Sequence, residues 1–220
     1  MTVVTETNIK AGQAVYTKLL LKIYNILVLD ISNRWIWRCP KRYQLRQYNQ
    51  CVTTNHLDIG VGTGYYLKHC NWPALTCLSL MDLNPTCLTV ASKAAHALAP
   101  QVYQADIFKS QEALGEQFTS ISMNYLLHCL PGSMDEKAIV IANAAAMLKR
   151  QGILFGATIL SDDHLQTGLS RRLAGFYNKK SIFSNQQDDF ASLNRILNMH
   201  LKDVEIKLSG CVALFRGTKG

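Results

Sequence analysis

The sequence has few charged residues, few prolines and no long apolar run. Charged residues make up 17% of the chain, and there are five prolines. Soluble domains usually carry about 25% charged residues, so the low share indicates a large apolar core or an apolar cavity. The most apolar early stretch, residues 23–31, is interrupted by Asn25 and Asp30. It falls short of the roughly 20 apolar residues that cross a bilayer, and no membrane span is expected.

The sequence also lacks a recognisable export signal, because no basic segment followed by an apolar run opens it. Its seven cysteines are odd in number, and no two are spaced C-x-x-C. This pattern argues against a disulfide framework and against a zinc ribbon. It is typical of small apolar side chains in a reducing compartment. We therefore expect a cytoplasmic protein.

Positive charge exceeds negative charge, with a formal net charge of +8. The basic residues cluster within residues 34–46 and 171–180. Such clusters attract nucleic acid or an anionic substrate, although a solvated surface is the more common explanation. Aromatic residues are not interleaved regularly with these charges, which does not favour nucleic acid as the partner.

Short apolar runs alternate with helical segments from residue 55 onward. The patterns predict strands at residues 56–59, 77–81, 101–104, 118–125 and 152–159. They predict helices at residues 65–69, 84–98, 134–148, 167–177 and 188–200. The segments 204–209 and 212–216 read as two strands of a short hairpin. The alternation predicts an α/β fold: a doubly wound, mostly parallel, seven-stranded sheet with helices on both faces and a C-terminal antiparallel hairpin.

A glycine-rich loop follows the first predicted strand. Glycines let the backbone turn sharply and lie close to a ligand, and the following helix presents free N–H groups. A dinucleotide-binding G-x-G-x-x-G loop would place glycine where Tyr65 stands, which disfavours a nicotinamide-dependent dehydrogenase. Asp58, two residues before Gly60, repels a phosphate and suits a cation.

Acidic residues also end the next two predicted strands. Asp82 lies 22 residues after Gly60, and a carboxylate there can accept hydrogen bonds from both hydroxyls of a ribose. Asp106 can accept from an adenine amino group, and the Ile107 N–H can donate to a ring nitrogen. Each carboxylate alone is often a loop residue, but three at consecutive strand ends are much less expected by chance.

At this point the sequence resembles a known family. The ordered segments LDIGVGTG, SLMDLNP, QADIF, SISMNYLLHCLP and MLKRQGILFGATIL are similar to the motif series of class I S-adenosylmethionine-dependent methyltransferases, over about residues 55–160. The resemblance implies that S-adenosylmethionine is the cofactor and S-adenosylhomocysteine the product.

The resemblance also implies roles for individual residues. The methionine part of the cofactor would be held by Asp58, Gly60, Val61, Gly62, Thr63 and Gly64. The nucleoside would be held by Asp82, Leu83, Asp106 and Ile107. Asn124 and Tyr125 would face the methyl group, and a tyrosine of the N-terminal helix, Tyr16 or Tyr24, would close over the cofactor.

A length of 220 residues suits a single α/β domain, so we expect one methyltransferase domain over residues 1–220. We expect a helical N-terminal cap segment (1–50), a cofactor-binding core (51–160), a substrate-side insertion (161–185), and a last helix with the hairpin (186–220). Apolar residues at helical spacing within residues 14–31 predict a helix in the cap segment.

The residues after the fourth strand bear on the reaction. Nucleobase amino-methylating enzymes often carry Asn/Asp-Pro-Pro-aromatic there, whereas this chain has Asn124-Tyr125-Leu126, so that branch is less expected. Methyl transfer mainly needs alignment, with a base only when the acceptor must lose a proton. His128 is the first candidate base, and His164 is the second. Metal binding at residues 162–164 is conceivable, but no metal is expected.

Specificity should come from residues 35–38 and 166–185, which mix aromatic and basic side chains. An apolar pocket rimmed by Arg38 or Arg171 would suit a small acceptor that carries negative charge. The leading hypothesis is O-, N- or C-methylation of a small molecule. An RNA or protein methyltransferase, or a non-catalytic scaffold that binds the cofactor, stays open as an alternative. The sequence leaves the oligomeric state open.

Overall fold

A computed structural model of the protein describes residues 32–115 and 117–220. The helix expected within residues 14–31 lies outside these described residues, and so do Tyr16 and Tyr24. Their expected roles over the cofactor therefore stay predictions.

The described residues contain one sheet of seven strands. The strands are β1 (Asn55–Ile59), β2 (Cys77–Asp82), β3 (Gln101–Gln104), β4 (Phe118–Asn124), β5 (Leu148–Ile159), β6 (Lys202–Ser209) and β7 (Val212–Thr218). Their order across the sheet is β3-β2-β1-β4-β5-β7-β6. Strands β1 to β5 pair in parallel, whereas β7 is antiparallel to both β5 and β6. The predicted mostly parallel sheet with a closing antiparallel hairpin is confirmed.

Six α-helices of the described chain cover the sheet. They are α1 (Lys41–Cys51), α2 (Tyr65–His69), α3 (Pro85–Ala94), α4 (Ala138–Met147), α5 (Gly168–Lys179) and α6 (Phe190–His200). Local signals explain several starts. Asn84 caps α3 by accepting the Thr86 N–H at 2.9 Å, as its sequence predicts. Thr167 and Ser170 form a capping box at α5.

The boundary between α4 and β5 differs from the prediction. Helix α4 begins four residues later than Met134, after a turn, and β5 begins at Leu148 rather than at Gly152. Leu148 pairs with Phe118 before the register of β4 and β5 shifts. The intervening residues 149–151 are exposed and polar, so their sequence carries no sign of a buried strand.

The two faces of the sheet bury separate cores. Leu57 and Ile121 pack in the cluster that includes Leu193 of α6. Leu80 and Phe155 pack on the other face with residues of α1 and α3. The alternation along β1 therefore directs His56 and Asp58, the neighbours of Leu57, toward the α1 face. In the described part of the chain, no helix has the length and apolar character that a membrane span requires.

Candidate active site

A cavity of about 520 Å³ opens at the carboxyl ends of β1 to β4. This is where ligands bind in open parallel sheets. Of the residues predicted to hold the cofactor, eleven line the cavity: Asp58, Gly60, Val61, Gly62, Thr63, Asp82, Leu83, Asp106, Ile107, Asn124 and Tyr125. Gly64 does not line it. The sequence therefore predicted most of the residues that surround this end of the cavity, and tertiary contacts reveal how each is held.

The three glycines of the loop after β1 all adopt positive φ angles, but they meet different surroundings. A Cβ on Gly62 would have no heavy atom within 4 Å, so this residue borders open space where a ligand can approach the backbone. A Cβ on Gly64 would lie 2.9 Å from the Ala91 Cα. Gly64 thus lets α2 pack closely against α3, and its predicted contact with the cofactor is not supported.

Asp58 is the buried carboxylate of the cavity, with 6% of its surface exposed. The Ser122 hydroxyl on β4 donates to its Oδ1. Burial raises the pKa of Asp58 to about 7, although the Ser122 hydrogen bond opposes this rise. A buried carboxylate with a raised pKa is stabilised most by a cation, which suits the ammonium group that the family resemblance assigns to this position.

Asp82 ends β2 and is held by the backbone of the following turn. Its Oδ1 accepts the Asn84 N–H at 2.8 Å. Burial raises the pKa of Asp82, and hydrogen bonds from the backbone N–H groups of residues 61, 62, 83 and 84 oppose the rise. These donors fix the carboxylate at the cavity, where it can accept from a pair of hydroxyls.

The loop after β3 is fixed from two sides. Asp106 accepts the Phe108 N–H at 3.0 Å, which shapes the turn. The Asn143 side chain of α4 donates to the Ile107 carbonyl at 2.8 Å and so ties the loop to the helix layer. The loop therefore meets the cavity as a rigid edge.

The end of β4 carries a strained residue and an unsatisfied amide. Tyr125 has φ of +58°, a conformation that is costly for a non-glycine residue and is concentrated at functional sites. Its N–H donates to the Ala157 carbonyl at 2.7 Å, and its hydroxyl donates to Asn33 at 2.9 Å. The side-chain oxygen and nitrogen of Asn124 are buried without a hydrogen-bond partner among the described residues. An unsatisfied amide that lines a cavity fits a ligand with both donors and acceptors, such as the amino-acid part of the cofactor.

His128 lies beneath the cavity instead of lining it. Only 1% of its surface is exposed, and its Nδ1 lies 3.3 Å from both the Thr158 hydroxyl and the Ile159 nitrogen. Burial lowers the pKa of His128 to about 3. The ring is therefore enclosed, and the backbone carbonyl of His128 accepts the Ser184 N–H at 2.8 Å. The geometry does not support a role as general base, and exposed His164 does not line the cavity either.

Another part of the cavity is formed by the residues after β4, by the end of α5 and by the loop between α5 and α6. We call this surface the acceptor wall; its members are Cys129, Leu130, Asn178, Ile182, Phe183 and Ser184. The predicted insertion, residues 161–185, contains four of these six. Gln186 and Gln187 also line the cavity, just beyond its predicted end.

Long-range contacts hold the acceptor wall. The Lys137 ammonium donates to the Ser184 carbonyl at 2.7 Å and to Asp188 at 2.6 Å, and both charged side chains are fully buried. Burial raises the pKa of Asp188 to about 6, and the neighbouring ammonium opposes the rise. Asn178 and Asn185 bond to each other twice, at 2.9 and 3.2 Å. Sequence reasoning missed the Lys137–Asp188 pair, because its members are 51 residues apart, whereas Asn178 and Asn185 are seven residues apart and lie within the segment expected to set specificity.

The predicted basic rim is not formed by Arg38 or Arg171. The Arg38 guanidinium donates to the Leu165 carbonyl, and exposed Arg171 lies 3.2 Å from Asp163; neither arginine lines the cavity. Among the described residues that line it, no lysine, arginine or histidine occurs. The four carboxylates that line it are Asp58, Asp82, Asp106 and Glu136.

Asp162 and Asp163, which the sequence offers as conceivable metal ligands, have structural partners. Asp162 accepts the Phe190 N–H at 2.9 Å at the start of α6, and Asp163 pairs with Arg171. Within the described ranges, no three histidine, cysteine, aspartate or glutamate side chains are grouped to hold a metal ion.

Comparisons with known proteins agree with this geometry. A family model described as methyltransferase domain matches residues 57–156. The physcion biosynthesis cluster O-methyltransferase of Aspergillus chevalieri is 38% identical over 97% of this chain and 97% of its own length. The demethylluteothin O-methyltransferase of Streptomyces thioluteus is 34% identical over 93% of this chain and 90% of its own length.

A solved structure shows the same fold at low identity. The N-methyltransferase NodS of Bradyrhizobium japonicum in complex with S-adenosylhomocysteine has a TM-score of 0.60 and 18% identity, and the match covers 81% of this chain and 85% of that one. Fold and site together define a class I methyltransferase. By its full-length relatives, the chain belongs to the methyltransferase family, and S-adenosylmethionine is its cofactor.

Proposed function

We propose that this methyltransferase transfers the methyl group of S-adenosylmethionine to an oxygen atom of a small, uncharged acceptor. The observation that carries the proposal is the acceptor wall, whose six members carry no charge and include one amide and one hydroxyl; Glu136 is the carboxylate among the lining residues that follow β4. Two full-length relatives are named O-methyltransferases, which supports oxygen as the acceptor atom.

The described residues fit the cofactor. Asp58 would receive its ammonium group, Asp82 its ribose, and the loop at Asp106 and Ile107 its adenine. Bound there, the cofactor supplies a methyl group on a good, neutral leaving group. The protein then contributes alignment of the acceptor oxygen and exclusion of water.

The acceptor would ionise by its own acidity. No histidine or lysine lines the cavity among the described residues. Backbone and side-chain hydrogen bonds from Ser133 lower the pKa of Glu136, which makes this carboxylate a weaker base. We therefore expect an acidic hydroxyl, such as that of a phenol or an enol.

The cofactor assignment is tested first by calorimetric titration with S-adenosylmethionine and S-adenosylhomocysteine. Asp82→Ala should weaken binding by about 1–3 kcal/mol, the cost of unpaired polar groups. Asp163→Ala, at an exposed position outside the cavity, is the matched control and should bind like the wild type. No binding of either compound to the folded wild type would contradict the proposal.

The acceptor assignment is tested with a panel of substituted phenols of graded acidity, by following release of S-adenosylhomocysteine. If the acceptor ionises by itself, the rising limb of kcat/KM against pH should move with the pKa of each phenol. A limb fixed at one pH for all phenols would instead indicate a base on the enzyme. No turnover with any phenol, in a protein that binds the cofactor, would count against an acidic hydroxyl as the acceptor.

RNA is less well supported as the acceptor. The cavity carboxylates repel phosphate, and the basic residues of α1 lie outside the cavity. Activity on RNA that falls steeply with added salt would reverse this ranking.

A further inference from the structure

Four polar side chains lie on one buried face of the two central strands, where parallel strands usually carry apolar residues. The register of β1 and β4 pairs His56 with Ser120 and Asp58 with Ser122. Residues two apart share one face of a strand, so the two pairs are stacked along the sheet. His56, Ser120 and Ser122 each have no exposed surface.

The four residues form a continuous hydrogen-bonded chain. The His56 Nδ1 lies 2.8 Å from the Ser120 hydroxyl oxygen, and its Nε2 lies 3.1 Å from the Ser122 hydroxyl oxygen. The Ser122 hydroxyl in turn donates to Asp58. Tyr48 of α1 joins from above, with its hydroxyl oxygen 2.9 Å from the His56 Nε2.

One arrangement of protons satisfies the four strand residues, with the Nε2–H of His56 shared between the Tyr48 and Ser122 oxygens. The Thr53 N–H donates to the Ser120 oxygen at 3.0 Å, so the Ser120 hydroxyl is free to donate to the His56 Nδ1. The Nε2–H then donates toward Ser122, whose own hydroxyl donates to Asp58. In this tautomer all donors point toward the carboxylate, which is the final acceptor.

The surroundings hold the His56 side chain in its neutral form. Burial lowers the pKa of His56 to about 3, so the imidazole is neutral at physiological pH. Its ring is stacked at 5.8 Å on Phe155 and lies 5.8 Å from the ring of Trp72. A neutral, immobile imidazole serves as a hydrogen-bond donor and not as a charge.

We infer that His56 and Tyr48 are positioning residues that aim the Ser122 hydroxyl at Asp58, and thereby fix and favour the ionised carboxylate that receives the ammonium end of the cofactor. This inference rests on the proposed function for the role of Asp58. We call the hydrogen-bonded series of Ser120, His56, Ser122 and Asp58 the relay. Its members His56, Ser120 and Ser122 do not line the cavity, so they lie beneath it.

Other ionisable groups also face Asp58. The Asp82 carboxylate on β2 raises the pKa of Asp58 by charge repulsion. The Tyr48 hydroxyl and the Cys70 thiol have raised pKa values, chiefly through burial and partly through the Asp58 charge. Among the described groups around Asp58, the Ser122 hydroxyl is the one that donates to the carboxylate and opposes the rise in its pKa.

The test measures S-adenosylhomocysteine affinity against pH by calorimetry. In the wild type, affinity should fall as Asp58 becomes protonated on the acid side. Ser122→Ala should move this acid limb to higher pH by about one unit, because a lost hydrogen bond to a charged group raises its pKa. Ser122→Thr keeps the hydroxyl and should restore the wild-type limb. Ser79→Ala, buried on the other face of the sheet beside Leu57, is the matched control.

The histidine is tested by a pair of substitutions. His56→Leu removes the donor to Ser122 and should move the acid limb in the same direction as Ser122→Ala. His56→Gln retains a side-chain N–H and should recover part of the shift. If Ser122→Ala does not fold, the two His56 variants still show whether the acid limb depends on the hydrogen bond to Ser122.

A unit shift in Ser122→Ala and His56→Leu, absent in Ser79→Ala, supports the relay. If the acid limb of the affinity curve stays at the wild-type pH in these two variants, the relay is overturned. It is also overturned if their affinity falls equally at every pH. The titration of the Asp58 carboxyl carbon by NMR in the ligand-free protein separates the two proposals. If the wild type binds no S-adenosylhomocysteine, the proposed function fails, while the raised pKa of Asp58 in Ser122→Ala still decides the relay.

Discussion

The two ends of the cavity are built in different ways. At the cofactor end, each functional group follows directly from the strand that precedes it, as the glycine loop follows β1 and Asp82 ends β2. At the acceptor end, the wall is held by Lys137 and Asp188, a buried ion pair 51 residues apart in sequence. Substitutions in the supports of the acceptor wall should therefore affect stability and acceptor binding more than cofactor binding.

The two ends also differ in charge. Asp58 and Asp82 line the end of the cavity that we assign to the cofactor, where its cationic groups would compensate them. The acceptor wall is uncharged, and the ion pair that supports it is fully buried and does not line the cavity. Under the proposed function, charge would select the cofactor, whereas shape and neutral polar groups would select the acceptor.

The largest effect should come from breaking the ion pair. Lys137→Met leaves Asp188 buried without its partner, and we expect a loss of about 3–5 kcal/mol in the free energy of unfolding. Urea denaturation measures it. Lys93→Met, at an exposed site of α3, is the control and should change little. Recovery of most stability in the double variant Lys137→Met/Asp188→Leu would identify the unpaired charge as the cause; a loss below 1 kcal/mol in the single variant would contradict it.

A smaller effect should separate two glycines of the same loop. Gly64→Ala combines a positive φ with overlap against Ala91, so we expect a loss of about 2–4 kcal/mol in stability. Gly62→Ala meets no protein atom and should lose only about 1–2 kcal/mol from backbone strain. Its methyl group borders the cavity, so Gly62→Ala should weaken S-adenosylhomocysteine binding more than Gly64→Ala does. The opposite order of affinities would contradict the assigned roles.

The buried histidine of the acceptor end should make the protein sensitive to acid. Because burial lowers the pKa of His128 to about 3, the unfolded chain binds a proton that the folded protein does not. Its contribution to stability is complete above about pH 6.5 and is lost progressively as the pH falls below that value.

His128→Leu should reduce the loss of stability between pH 7 and pH 5 by about 2 kcal/mol relative to the wild type. Urea denaturation at the two pH values measures the difference. His164→Leu, at an exposed position, controls for the loss of a histidine as such. An equal loss in His128→Leu and in the wild type would show that His128 does not govern the acid sensitivity.

The smallest effect should come from the arginines that the sequence suggested for the acceptor. Arg38 and Arg171 do not line the cavity and have partners elsewhere. Arg38→Ala and Arg171→Ala should each leave KM for a turned-over phenol within about twofold of the wild type, since exposed pairs contribute little. A tenfold rise in KM for either variant would return that arginine to the site.

Much of the fold could be predicted because its signals are local. Apolar runs ended by glycine or aspartate gave the strands, and Asn84-Pro85 gave the start of α3. The start of α4 could not be predicted, since residues 134–137 are compatible with a helix but form a turn. In that turn Lys137 is buried and directs its ammonium group to Ser184 and Asp188.

The candidate site also contains residues that could be predicted from the sequence and residues that could not. Asp58, Gly62, Asp82 and Asp106 could be predicted because the ends of parallel strands meet at one edge of a sheet. Ser122 could not, because a serine inside a strand has no meaning until the register places it beside Asp58. His128 looked like a base by position, and only the packing against Phe183 shows that its ring is enclosed.

By itself, the sequence determined the α/β class, the order of the strands and helices, and the glycine loop that lines the cavity, because these depend on residues close together in the chain. Tertiary structure alone decided which polar groups meet. It places His56 and Ser122 in the hydrogen-bonded series that ends at Asp58, and it places Arg38 outside the cavity. The physical reason is that burial and hydrogen-bond partners are set by neighbours in space, and in the described chain such neighbours include a pair 171 residues apart in sequence.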